Sequence, residues 1–144
     1  MPAMCGIGFR AFWRPLTIIT PAVPEKAEYW SLNERKVREL KERVLVQGQI
    51  AWDYLKPLGF TTWHVVDGWI GCWIERKREA STDSFIVQLE QETPLRFRVW
   101  MKTRISKPSK DEAPLSFSRT FDSITSLETD LPKMMKEVIA HVTQ

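Results

Sequence analysis

The sequence predicts an α+β fold: a two-layer sandwich in which a five-stranded antiparallel meander carries an N-terminal and a C-terminal helix on one face, preceded by an extended arm. Two observations predict this class. Apolar residues recur at helical spacing after position 31 and again near the end of the chain, and between these segments the period shortens to two. The 144 residues suit a single domain. We therefore expect an extended arm over residues 1–30 and one α+β domain over residues 31–144.

The first helix is predicted to follow the arm, whose four prolines exclude a helix before position 31. Ser31 and Glu34 form a capping box, so we expect the helix to begin at Ser31. Pro57 and Gly59 are expected to end it. One narrow stripe of this helix is apolar and comprises Val37, Leu40, Val44, Ala51 and Leu55.

The second half of this helix also carries apolar side chains outside the stripe. They are Leu45, Val46, Ile50, Trp52 and Tyr54. A helix that is apolar on several sides needs a cover, which is either the arm or a second copy of the chain. Through this surface, or through an unpaired sheet edge, we expect the protein to form a homodimer.

Five strands are predicted next. Residues 60–66 and 69–76 flank Asp67-Gly68, a dipeptide typical of a two-residue hairpin turn. Two further strands over residues 84–91 and 95–105 form a second hairpin, and a fifth strand covers residues 115–121. Because their connections are short, consecutive strands are expected to pair antiparallel.

The last helix is predicted to begin at Thr129 or Asp130, with Pro132 in its first turn. Its apolar face comprises Leu131, Met134, Met135, Val138 and Val142. This face is expected to lie on the same side of the sheet as the first helix.

The turn at Asp67-Gly68 also assigns the side chains of the first hairpin to faces. It pairs Trp63 with Cys72, and directly opposed residues share a face. His64 then points to the opposite face from Cys72. A Cys–His nucleophile pair is therefore not expected within one chain.

The face that carries His64 is predicted to form an aromatic-lined concavity, because Gly71 leaves space for a ligand beside the rings. The candidate ligand-binding residues are Phe60, His64, Trp69, Gly71, Trp73 and Glu75. A small apolar or cationic ligand is expected, and ordinary core packing is the alternative. A further hypothesis is a small enzyme in which Asp53, His64 and Glu75 meet in one cleft.

The fourth strand predicts a second candidate surface, a basic face with one aromatic ring. It comprises Arg96, Arg98, Trp100, Lys102 and Arg104. Single-stranded nucleic acid favours this mixture of cations and a stacking platform. However, Gln88, Glu90 and Glu92 face the same way, and opposite charges across a ladder stabilise a sheet. We therefore expect a paired, solvated face and no appreciable oligonucleotide binding at physiological salt.

Composition excludes several classes of protein. The 21 Lys and Arg residues nearly balance the 18 Asp and Glu residues, so a general nucleic-acid binder is not indicated. The two cysteines and two histidines lack the spacing of zinc ligands or of a disulfide framework, and no metal or cofactor is predicted. No secretory signal or membrane span is apparent, so we expect a cytoplasmic protein that does not contact a membrane. The sequence therefore favours a non-catalytic binding module.

Overall fold

The computed structural model describes residues 32–65 and 68–143, and over this part of the chain it confirms the α+β two-layer sandwich. The arm predicted over residues 1–30 lies outside the described residues. The strands follow one another across the sheet in chain order, and each neighbouring pair is antiparallel. The elements are helix α1 (Glu34–Leu55), strands β1 (Thr62–Val65), β2 (Gly71–Lys77), β3 (Ser81–Glu92), β4 (Leu95–Ile105) and β5 (Ser116–Phe121), and helix α2 (Ile124–Val142).

The sheet has two different faces. Its inner face packs against both helices and forms the core, in which Ile74, Phe85 and Val99 are fully buried. Its outer face carries the alternate residues of each strand and is covered by neither of the two described helices. None of the described helices is both long enough and apolar enough to cross a membrane.

Helix α1 has the predicted apolar stripe but begins at a different cap. Asn33 is the N-cap residue, and its Oδ1 accepts a hydrogen bond from the backbone N–H of Lys36 at 2.8 Å. The prediction that Ser31 caps the helix is therefore wrong. Asparagine accepts this bond as well as serine does, so the cap nearer to the first buried residue, Val37, is the one used. All five predicted stripe residues are buried.

The helix ends where the sequence predicts. A 3-10 turn over Lys56–Leu58 follows α1, and Gly59 closes it with a φ of 96°. Gly48, inside the helix, lies where α1 comes closest to the sheet. A Cβ atom there would collide with the Cys72 sulfur and would lie 2.9 Å from the ring of Trp63. Gly48 therefore permits close packing of the two layers.

The first hairpin has the predicted faces but not the predicted register. Val65 pairs with Cys72, where the two-residue turn would have paired Trp63 with Cys72. The Ile70 carbonyl accepts from the N–H of Leu89 on β3 at 2.8 Å, and the Ile70 side chain is buried. Residue 70 therefore pairs with β3 instead of β1, and the connection is longer than two residues. Because the shift in register is two residues, Cys72 and His64 still lie on opposite faces.

Helix α2 begins earlier than predicted. Ser123 is its N-cap, and the Ser123 hydroxyl accepts from the N–H of Ser126 at 3.1 Å. Thr129, Asp130 and Pro132 consequently lie inside the helix and not in its first turn. An interior proline costs a helix about 3 kcal/mol. The additional turns bury Ile124 and Leu127 against the core, which offsets this cost. The predicted apolar face of this helix is buried throughout.

A buried carboxylate explains why β3 begins at Ser81, three residues before the predicted start. Asp83 is fully buried. Its Oδ2 accepts from Nε and Nη2 of Arg76 at 2.9 and 2.6 Å. Its Oδ1 accepts from Nη2 of Arg78 at 2.8 Å and from the Thr103 hydroxyl at 2.7 Å. These bonds offset the desolvation of the carboxylate, so an aspartate can lie inside a core strand.

Candidate functional site

The outer face brings the two predicted candidate surfaces together. His64 pairs with Trp73, Trp73 with Ile86, and Ile86 with Trp100, so these four side chains form one line across strands β1 to β4. We call this line the aromatic row. The first hairpin supplies one end of the row and the basic face of β4 supplies the other. The two surfaces that the sequence predicted separately are therefore parts of one surface.

The β1–β2 end of the aromatic row is tightly organised. The rings of His64 and Trp73 stack with centroids 4.7 Å apart and planes 24° apart. Nε2 of His64 lies 3.1 Å from Oε1 of Glu75, within hydrogen-bond distance. Trp69, which is 38% exposed, lies 6.1 Å from Trp73 between ring centroids. Four of the six predicted ligand-binding residues thus lie together on the outer face.

The other two predicted residues do not form a concavity. Phe60 is fully buried in the core, where the Arg76 guanidinium lies 5.1 Å from its ring centre. It precedes β1, so strand alternation does not fix its direction. A Cβ atom at Gly71 would lie 2.7 Å from the Gln88 Cβ and from the Val87 carbonyl oxygen. Gly71 therefore allows β2 and β3 to approach each other and leaves no space for a ligand.

The structure does not bring Asp53 to His64 and Glu75. Asp53 is exposed on helix α1 and accepts from the Gln49 amide at 3.2 Å. Helix α1 packs on the inner face, whereas His64 and Glu75 lie on the outer face. The enzyme hypothesis therefore lacks the convergence of groups on which it depended.

The β4 end of the aromatic row is a tryptophan ring that two cations contact. The Arg98 guanidinium carbon lies 4.4 Å from the Trp100 ring centre, and the Lys102 ammonium lies 5.2 Å from it. Arg96 and Arg98, which are neighbours on the outer face of β4, share one carboxylate. Glu90 accepts from Nε of Arg96 at 2.9 Å and from Nη1 of Arg98 at 3.2 Å. The predicted cross-strand pairing of charges is therefore present at this end of β4.

Farther along the outer face, away from Glu90, three cations have no acidic partner among the described residues. Lys77 and Arg104 both pair with Thr82, and Lys102 pairs with Ser84, so the three lie on neighbouring positions of β2 and β4. All three are exposed. We call Lys77, Lys102 and Arg104 the cation cluster. Lys77 and Ile86 were not predicted to lie on this face, because their positions there follow only from the registers of β2, β3 and β4.

Two other features carry less chemistry. Burial raises the pKa of the Cys72 thiol to about 12, so this thiol stays protonated and unreactive near neutral pH.

A cleft of about 200 Å³ near the start of β3 includes Ser81, Ile105, Lys107, Ser109 and Glu112 in its lining. The Ser81 hydroxyl donates to Glu112 at 2.7 Å, and this bond lowers the Glu112 pKa. Within residues 32–65 and 68–143 no group of three His, Cys, Asp or Glu side chains could hold a metal ion.

Comparison with protein-family models, with curated proteins and with solved structures gave no match for this chain. The geometry and charge of the outer face are therefore the features that point to a function.

Proposed function

We propose that the protein is a non-catalytic binding module whose binding surface is the outer face of the sheet. The observation that carries this proposal is the aromatic row with the cation cluster beside it. Tryptophan rings offer a large, rigid contact area at a low cost in conformational entropy. Because neighbouring Lys and Arg side chains attract negative charge, the surface suits a ligand with a planar group and an anionic group.

This ligand differs from the small apolar or cationic molecule that the sequence analysis expected. The carboxylates of Glu75 and Asp53 were the reason to expect a cation, but Glu75 lies against His64 and Asp53 lies on the helical layer. Lys77, Lys102 and Arg104 would repel a cationic ligand. We propose no catalytic residue, because Asp53 lies on the other layer.

An aromatic anion tests the binding surface. We expect 8-anilinonaphthalene-1-sulfonate to bind the folded protein saturably and to change its tryptophan fluorescence. The double variant Lys102→Gln, Arg104→Gln should bind the dye about 2- to 30-fold more weakly, since each exposed ion pair contributes about 0.2 to 1 kcal/mol. The matched control is Lys133→Gln, Lys136→Gln, which removes two exposed lysines from α2. Absence of saturable binding, or an equal loss in the control, would contradict the proposal.

We also propose that the protein forms a homodimer. In the described sheet β1 is an edge strand, and its four residues include neither lysine nor proline, two of the residues that protect an edge. Beside it, Trp52 packs edge-on against Trp63 with centroids 5.9 Å apart, and both are only partly buried. Val46 is 56% exposed. The β5 edge is better protected, since the Ser116 N–H donates to Nε2 of His141.

Light scattering tests the dimer. We expect a mass twice the 16.9 kDa of one chain at micromolar concentration. A mass of one chain that does not change with concentration would exclude the dimer, and the partly exposed side chains of Leu45, Ile50 and Tyr54 would then need another cover.

We further propose a cytoplasmic location. The chain's two cysteines support it, because they are too few for the disulfide framework that is typical of small secreted domains. Cell fractionation with a tagged full-length chain tests the location.

A further inference from the structure

The charge of the outer face is positive once its internal pairs are counted. Glu75 lies within hydrogen-bond distance of His64, whose ring is charged only when protonated, and Glu90 forms ion pairs with Arg96 and Arg98. Neither carboxylate approaches the cation cluster closely enough to form an ion pair. The sequence predicted a paired, solvated face in which the acidic residues of β3 oppose some of the basic residues. They neutralise one end of it, and the cluster formed by Lys77, Lys102 and Arg104 remains.

The spacing of rings and cations matches a polymer with alternating planar and anionic groups. Alternate residues of a strand lie about 7 Å apart, and neighbouring strands lie about 5 Å apart. Along β4, Trp100 is followed at these steps by Lys102 and Arg104. Along β2, Trp73 is separated from Lys77 by two such steps. A base on the aromatic row would therefore leave its flanking phosphates within reach of the cation cluster.

The groups that lie over the two tryptophan rings can themselves stack on bases. Arg98 lies over Trp100 and is held in place by Glu90 and by the Ser118 hydroxyl at 3.1 Å. His64 lies over Trp73. Both guanidinium planes and histidine rings stack on unpaired bases, as tryptophan does. Each end of the row therefore consists of a tryptophan ring with a second planar group over it.

We infer that the ligand of the outer face is single-stranded nucleic acid, an inference that rests on the proposed function. Bases in a duplex are stacked on one another and cannot lie flat on a sheet. A free nucleotide carries the same base and phosphate, but it reaches one platform and a few charges only. A strand contacts both ends of the aromatic row and the cation cluster together, so it gains from several linked contacts.

Fluorescence anisotropy with the full chain and a labelled oligonucleotide of about 12 nucleotides tests the inference, a length within known site sizes. With three phosphate contacts, the logarithm of the binding constant should fall with the logarithm of salt concentration at a slope of about −2. The variant Lys102→Gln, Arg104→Gln should reduce this slope to about −0.7. The control Lys133→Gln, Lys136→Gln should leave it unchanged.

The aromatic row is tested separately. Trp73→Leu or Trp100→Leu should weaken binding about 5- to 150-fold if bases stack there. Circular dichroism confirms that each variant is folded. Equal affinity for a duplex or for a free nucleotide, or no binding at about 50 mM salt, would overturn the inference. If the dye binds the outer face and the oligonucleotide does not, the proposed function stands and the inference fails. If neither binds, both fail.

Discussion

Replacing Asp83 by alanine is expected to lower the free energy of unfolding by about 3 to 5 kcal/mol, the usual cost of removing one partner of a buried ion pair. The carboxylate is fully buried and accepts bonds from two guanidinium groups and a hydroxyl. Without it, Arg76 and Arg78 would keep two positive charges largely out of water, with Glu112 near Arg78 as the remaining counter-ion. Urea unfolding, followed by circular dichroism and tryptophan fluorescence, measures the change.

Asp111→Ala is the matched control for this prediction. Asp111 is exposed in the loop between β4 and β5, so its replacement should change stability by no more than about 0.5 kcal/mol. Asp83→Asn keeps an acceptor for Thr103 but loses the charge, and its stability should lie between those of Asp83→Ala and the parent. If Asp83→Ala unfolds at the same urea concentration as the parent, the Asp83 network does not stabilise the fold.

Gly71→Val is expected to destabilise the protein by about 1 to 3 kcal/mol or more, as overpacking of a well-packed interior does. A Cβ atom at this position would lie 2.7 Å from the Val87 carbonyl oxygen and 2.9 Å from the Gln88 Cα. These atoms belong to the backbone of a central strand, which cannot rotate away as a side chain can. The valine can therefore be accommodated only if β2 and β3 separate. Thermal unfolding measures the loss.

Gly68→Asn serves as the control for this substitution. Gly68 has a φ of 87° and no other atom within 4 Å of a built Cβ, and asparagine tolerates positive φ. The control should therefore unfold near the parent temperature. If Gly71→Val also unfolds there, β2 and β3 do not approach as closely at Gly71 as the geometry requires.

Long periodic patterns in the sequence predicted most of the fold. The stripe from Val37 to Leu55 and the alternation along β4 each involve many residues, so one misassigned position does not change the interpretation. Element ends were predicted less well. Ser31 and Asn33 offer competing caps, and Ile70 pairs with β3 because its side chain is buried there. Such outcomes depend on tertiary contacts that a local pattern does not contain.

The residues of the candidate site were predicted as two separate surfaces. Face assignment within the first hairpin placed His64, Trp73 and Glu75 together, and alternation along β4 placed Arg98 beside Trp100. That these two groups of residues form one surface depends on the registers of β2 and β4 with β3, where Ile86 lies between the two indoles. The interpretation of Gly71 failed because the absence of a side chain suits close backbone approach as well as an open pocket.

The order of the strands has a consequence for the folding pathway. Every strand pairing in the described sheet joins neighbours in the chain, so the meander can grow one hairpin at a time with little loop-closure entropy. The two helices differ in this respect, because the ion pair between Arg43 and Glu128 joins residues 85 positions apart. Docking of α2 on α1 therefore closes a much longer loop than any of the strand pairings, and loop-closure entropy predicts that it follows them. Contacts made late in folding act mainly on the unfolding rate, so we expect loss of the Arg43–Glu128 pair to speed unfolding more than it slows folding.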